Sequence, residues 1–132
     1  MIEDNPADVK LVRMATKSSK WVEALDVSSN GQDAFSFLKS GCKLPSLILL
    51  DLNMPGMNGF EFLEKIKSDS DLQQIPVVVL STSDSGPDID RAYRLHAAAY
   101  VTKEFDYQKF CESFIKLEEF WFGLARKPPL EI

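Results

Sequence analysis

An open α/β sheet of parallel strands is the architecture this sequence predicts, and three observations predict it. Two short apolar runs, residues 47–50 and 77–80, read as buried strands, the second entered from Pro76. Between them Phe60, Leu63 and Ile66 recur at helical spacing, so strand, helix and strand follow one another. A strand–helix–strand unit of this length joins parallel strands through a right-handed crossover.

The same alternation runs through the rest of the chain. Val9, Val12 and Met14 mark a first helix after a very short opening strand, and residues 21–27 read as a partly exposed second strand. Ala34, Phe35 and Leu38 mark a second helix that the Gly41 region ends. The central helix follows Gly56 and Gly59 and stops before the polar stretch 68–74. Residues 87–95 make a fourth helix, 99–102 a short strand and 107–122 a long last helix. Five such units in a row mean one open sheet with helices on both faces.

Composition bounds the function without specifying it. A chain of 132 residues without a Pro/Gly/Ser-rich linker predicts one domain, with a core over 1–123 and a tail over 124–132. The 45% hydrophobic content is enough for one packed core. The formal charge of −5 disfavours direct DNA binding, which needs clustered cations. The apolar runs are too short to span a bilayer, and charges at Glu3 and Asp4 break any opening signal segment, so a cytoplasmic location is expected. Cys42 and Cys111 lack metal-ligand spacing and read as reduced thiols.

In an open parallel sheet the reactive site lies at the carboxyl ends of the strands. Glu3 and Asp4 follow the first strand, Asp51 and Asn53 the third, Ser81 the fourth and Lys103 the fifth. Taken singly, each is an ordinary turn residue or solvated charge; together, in this order, they bring three carboxylates, a hydroxyl and an ammonium to one edge. Like charges about 4 Å apart repel by roughly 4 kcal/mol at an effective dielectric near 20. The cluster is therefore partly protonated or binds a cation, and oxygen-only donors without His or Cys favour Mg²⁺. Asp51 kept ionised can attack phosphorus, while Lys103 and Ser81 meet the remaining phosphoryl oxygens.

These residues carry a resemblance. The acidic pair Glu3-Asp4, the stretch LLDLNMPGMNG at 49–59, PVVVLS at 76–81 and YVTK at 100–103 are similar to the receiver domain of bacterial response regulators. The resemblance implies a flavodoxin-like (CheY-like) doubly wound sheet of five parallel strands, order 2-1-3-4-5, with five helices. It implies Asp51 as phosphoacceptor and a Mg²⁺ held by Asp4, Asp51 and the Asn53 backbone carbonyl, with Glu3 reaching it through water. Ser81 and Tyr100 would be the switch pair, and Lys103 the phosphate-binding cation. A sensor histidine kinase would supply the phosphoryl group and a downstream protein would read it. The IEDNPADV opening and the Phe120-Trp121-Phe122 ending look most like stand-alone regulators of phytochrome-type kinases.

Four positions depart from the family pattern. Only Met1 and Ile2 precede the acidic pair, so the first strand is a stub or further residues precede it. Glu104 stands where the family has Pro, which predicts a trans or locally strained bond after Lys103. His96 takes a usual Gly position as a left-handed helix cap, and Ser81 replaces the commoner Thr. Along the last helix Tyr107, Phe110, Phe114, Leu117 and Trp121 form an inward stripe. Phe105, Ile115, Phe120 and Phe122 do not fit on that face and predict a homodimer through the helix 4–strand 5–helix 5 surface. Residues 86–90 are expected as a mobile loop coupling Ser81 to it.

The competing reading is a degenerate receiver that binds proteins without phosphorylation, favoured by Glu104 and the short first strand. A phosphohydrolase with an Asp nucleophile needs a second carboxyl where Asn53 stands, and no Gly-rich loop suggests a nucleotide-binding protein.

Overall fold

The structure is a computed structural model describing residues 1–17, 19–54 and 56–129, so the last part of the expected tail lies outside the described residues. Each of the five α-helices opens beside a side-chain cap that the sequence places there. In α1 (Pro6–Lys17) proline takes the first position, where its missing N–H costs nothing, and Asn5 Oδ1 accepts the Ala7 N–H at 2.9 Å. Asn30 caps α2 (Gly31–Lys39), Asn58 caps α3 (Gly59–Lys67), Ser85 caps α4 (Gly86–Arg94) and Asp106 caps α5 (Tyr107–Glu118).

Three strands form the regular sheet: β1 (Ile48–Leu50), β2 (Val77–Ser81) and β3 (Ala99–Thr102), all parallel in the order β1-β2-β3. The expected first and second strands survive only as single bridges, Ile2 to Leu50 on one side and Ile2 to Ser28 on the other. The spatial order is nevertheless the expected 2-1-3-4-5, with the first two strands reduced to bridges. Ile2 N–H donates to the Leu49 carbonyl at 2.8 Å and its carbonyl accepts the Asp51 N–H at 3.0 Å, while Glu3 N–H donates to the Ser28 carbonyl at 3.0 Å. Residues 21–27 stay irregular, contrary to expectation: the Met1 amino group donates to the Asp26 carbonyl at 2.9 Å, but no ladder forms there among the described residues. A cleft of about 430 Å³ beside the bridge is lined in part by Ile2, Leu25, Leu47, Leu49 and Phe114.

Strand alternation divides the core in two. Ile48, Leu50, Val77 and Val79 face Phe62, Leu63 and Ile66 of α3, together with Ala34 and Leu38 of α2. Leu49, Val78 and Leu80 face Val12 of α1 and Phe110 and Phe114 of α5. Helices on both faces explain why these strands read as continuous apolar runs.

The C-terminal region departs from expectation in two ways. The regular helix ends at Glu118 and passes into a π-helical turn, Glu119–Leu124. Phe110 and Phe114 are buried, and Leu117 and Trp121 pack against them, but Tyr107 is half exposed because it opens the helix beyond the packed face. His96 takes the left-handed conformation (φ 71°) as a helix cap, and Ala97 N–H donates to the Ala92 carbonyl at 3.0 Å. No peptide bond among the described residues is cis, so Glu104 follows Lys103 through a trans bond. Residues 86–90, expected as a loop, are the first half of α4.

One packing constraint ties the fold to the site. A Cβ on Gly59 would lie 2.4 Å from the Asp51 carbonyl oxygen and 2.6 Å from Leu52 Cα, so only glycine lets α3 approach β1 this closely. Gly59→Ala is expected to lower stability in urea denaturation by about 1–3 kcal/mol, through backbone displacement at the end of β1.

Candidate functional site

Every candidate side chain is delivered by the end of a strand or bridge. Asp51 follows β1 and is 7% exposed; Ser81 ends β2 and is fully buried; Lys103 follows β3, its backbone N–H donating to the Ser81 carbonyl at 2.7 Å. Glu3, buried, and Asp4, exposed, follow the Ile2 bridge. Glu3, Asp4 and Asp51 each place one carboxylate oxygen within 4.8 Å of the others. Asn53 is exposed beside them, and its backbone N–H points at the Asp51 carboxylate.

The Lys103 ammonium sits among these acids, its side chain only 10% exposed. It donates to Glu3 Oε2 at 2.8 Å and to Asp8 Oδ2 at 2.8 Å, and lies 3.5 Å from Asp51 Oδ1. Asp8 escaped the sequence reading. As an acid in the first turn of a helix it has a sufficient explanation in the helix dipole, and nothing in its spacing points to Lys103.

Burial pushes the Asp51 carboxyl above the usual range; Lys103 opposes that rise and Asp4 adds to it. Glu3 is raised for the same first reason, with the Lys103 hydrogen bond opposing and the Asp51 charge adding. Burial alone would lower Lys103, but the hydrogen bonds it donates to Asp8 and Glu3 outweigh it and the ammonium is held above its ordinary value. The lysine is therefore charged at neutral pH, whereas burial opposes ionisation of Glu3 and Asp51.

Behind the acids, Ser81 Oγ accepts the Ser83 N–H at 3.1 Å. Ser83 Oγ donates to Asp88 Oδ2 in the first turn of α4 at 2.6 Å, and the half-buried Tyr100 donates its hydroxyl to the Ser83 carbonyl at 2.7 Å. The two candidate switch residues thus meet through Ser83 and not directly.

The response regulator receiver domain model matches residues 1–115, and the chain belongs to that family. It is a phosphoacceptor signalling protein of the two-component class, in which receiver domains are phosphorylated by histidine kinases. Response regulator Rcp1 of Synechocystis is 36% identical over 97% of this chain and 90% of its own length. A probable methanogenesis regulatory protein, FilR2 of Methanothrix harundinacea, is 33% identical over 97% of this chain and 85% of its own. Among solved structures, the phosphorylated cyanobacterial phytochrome response regulator RcpA superposes with a TM-score of 0.91 at 39% identity, covering 96% of this chain and 94% of that one. The Mn²⁺-bound form of Rcp1 does so at 0.89 and 36% identity, covering 96% and 95%.

The raised Asp51 value has a signed consequence. A carboxyl whose folded pKa exceeds its unfolded one adds stability below the unfolded pKa and loses it as pH rises through the folded pKa. Asp51→Asn is therefore expected to raise the thermal midpoint of the metal-free protein at pH 7.5, and the difference should shrink as pH falls through the raised value. A midpoint lowered by the substitution at pH 7.5 would contradict this account of the site.

Proposed function

We propose that Asp51 is the phosphoacceptor of a stand-alone, cytoplasmic response regulator, charged by a histidine kinase of the phytochrome type. The observation that carries the reading is the convergence of Asp51, Asp4, Glu3, Ser81 and Lys103 at the strand ends, with Lys103 3.5 Å from the acceptor carboxylate. The likeness to phytochrome response regulators supports the choice of kinase class. No helix among the described residues is long and apolar enough to cross a membrane.

The three clustered carboxylates offer oxygen donors only, which fits a hard divalent cation, and Mg²⁺ is the reading here. Asp4, Asp51 and the Asn53 carbonyl would hold it, with Glu3 acting through water; when bound it supplies neutralising charge to the phosphoryl oxygens. The chain's own groups do the rest. Asp51 Oδ forms a bond to phosphorus as the donor's P–O or P–N bond breaks and its electron pair leaves with the donor. Lys103 pairs with one phosphoryl oxygen and the Ser81 hydroxyl donates to another. Ser81 would leave the Ser83 N–H to do so, freeing Tyr100 to turn inward. The chemistry amounts to self-phosphorylation and slow hydrolysis, so the protein works as a switch and not as a metabolic enzyme.

The switch would be read on the face of α4, β3 and α5, where Tyr93, Phe105, Ile115 and Phe120 are exposed (48%, 93%, 53% and 51%). A homodimer and a downstream protein partner are the proposed users of that surface.

Intact-protein mass spectrometry after incubation with acetyl phosphate and Mg²⁺ tests the acceptor. One added phosphoryl group is expected, absent without Mg²⁺ and absent in Asp51→Asn; no addition would leave a phosphorylation-independent binding module. Light scattering at high protein concentration with beryllofluoride and Mg²⁺ is expected to show dimers that Ile115→Asp abolishes. Monomers throughout would remove the dimer from the proposal.

A further inference from the structure

Lys103 makes its best contacts away from the acceptor. Its ammonium gives 2.8 Å hydrogen bonds to Glu3 and Asp8 and stands 3.5 Å from Asp51. Of its carboxylate partners, Asp8 alone lies outside the acidic trio that shares one 4.8 Å cluster. A phosphoryl group arriving on Asp51 brings anionic oxygens that claim the same ammonium. One of the two short contacts must then lengthen, and burial decides which. The Glu3 side chain is 2% exposed, whereas that of Asp8 is 30% exposed, on the first turn of a surface helix. Releasing Asp8 is the cheaper step because its carboxylate rehydrates at once.

We propose that Asp8 is a positioning residue for phosphotransfer: it holds the Lys103 ammonium back from Asp51 in the resting protein and competes with the incoming phosphoryl group for it. The proposal rests on the reading of Asp51 as acceptor and adds a restraint supplied from α1. Asp8 touches neither donor nor acceptor; it acts through the lysine. Its carboxylate also adds a fourth negative charge beside a site that must admit an anion. Removing that charge favours binding of the phosphodonor more than it favours the bond-making step, because Asp8 does not contact the reacting atoms.

The test compares wild type, Asp8→Asn, Asp8→Ser and Asp8→Glu. Asp8→Ser retains a polar group in the first turn should the amide variant fold poorly. Isothermal titration calorimetry with beryllofluoride in Mg²⁺ is expected to show affinity about five-fold tighter in the two uncharged variants, the scale of one partly exposed ion pair. With acetyl phosphate, the half-saturating concentration should fall by a similar factor while the maximal rate stays within about two-fold. Asp8→Glu, which restores the charge, should return both toward wild type. A purely structural role at the helix N-terminus would shift the melting temperature without this split.

Uncharged variants that match wild type in both measurements, or that bind beryllofluoride more weakly, overturn the proposal while leaving Asp51 as acceptor. A wild-type protein that takes up neither beryllofluoride nor phosphate overturns the acceptor reading, and this one with it.

Discussion

One ammonium holds three acidic groups in order. Lys103 is pinned at the end of β3 by its backbone bond to Ser81 and reaches across the sheet edge to Glu3, Asp8 and Asp51. Burial of Glu3 and Asp51 opposes their ionisation, and without the lysine their mutual repulsion would be uncompensated in a site nearly closed to water. The resting site is therefore under electrostatic tension that a bound cation would relieve. That tension makes the cluster responsive: a fully satisfied pocket would have no reason to rearrange when charge is added.

The scaffold turns this tension into fixed geometry. The three strands that deliver Asp51, Ser81 and Lys103 are parallel neighbours packed on both faces, so their ends share one edge with little freedom to shift. Gly59 lets α3 press against the backbone at Asp51, and Asn58 caps that helix beside the site. Asp51 is thus supported from behind by rigid elements. Asp4, Asn53 and the α1 side of the cluster face water, the direction from which a cation or a phosphodonor arrives.

What was legible in the sequence followed from periodicity and order. The buried runs at 47–50 and 77–80, the cap residues and the strand-end acids could be placed because each has a local cause. His96 was readable as a left-handed cap for the same reason. The failures share a different cause, since each depends on a partner distant in the chain. Residues 21–27 have strand-like composition, but a strand needs a paired neighbour, and among the described residues that edge is joined by the single bridge of Ile2 to Ser28. Asp8 looked like a helix-dipole residue, and its contact with Lys103 spans 95 positions. Tyr107 shares the period of the inward stripe, yet it lies where the helix has not reached the sheet. Residues 86–90 are the exception, with a local cause: the helix expected from 87 begins at Gly86, because Ser85 caps it and Pro87 suits a first helical turn, so the loop expected over 86–90 is absent.

Ser83 gives the proposed switch a kinetic character. Its N–H, carbonyl and hydroxyl are engaged at once, by Ser81, Tyr100 and Asp88 respectively, which tie β2, β3 and α4 to one residue. A phosphoryl contact at Ser81 would have to work against these three bonds, which must loosen before Tyr100 can turn. Ser83 would in this sense be a latch on the resting form, and bonds that the switched form lacks weigh on the populations as well as on the interconversion rate. Weakening it would speed the exchange and shift the balance toward the switched form.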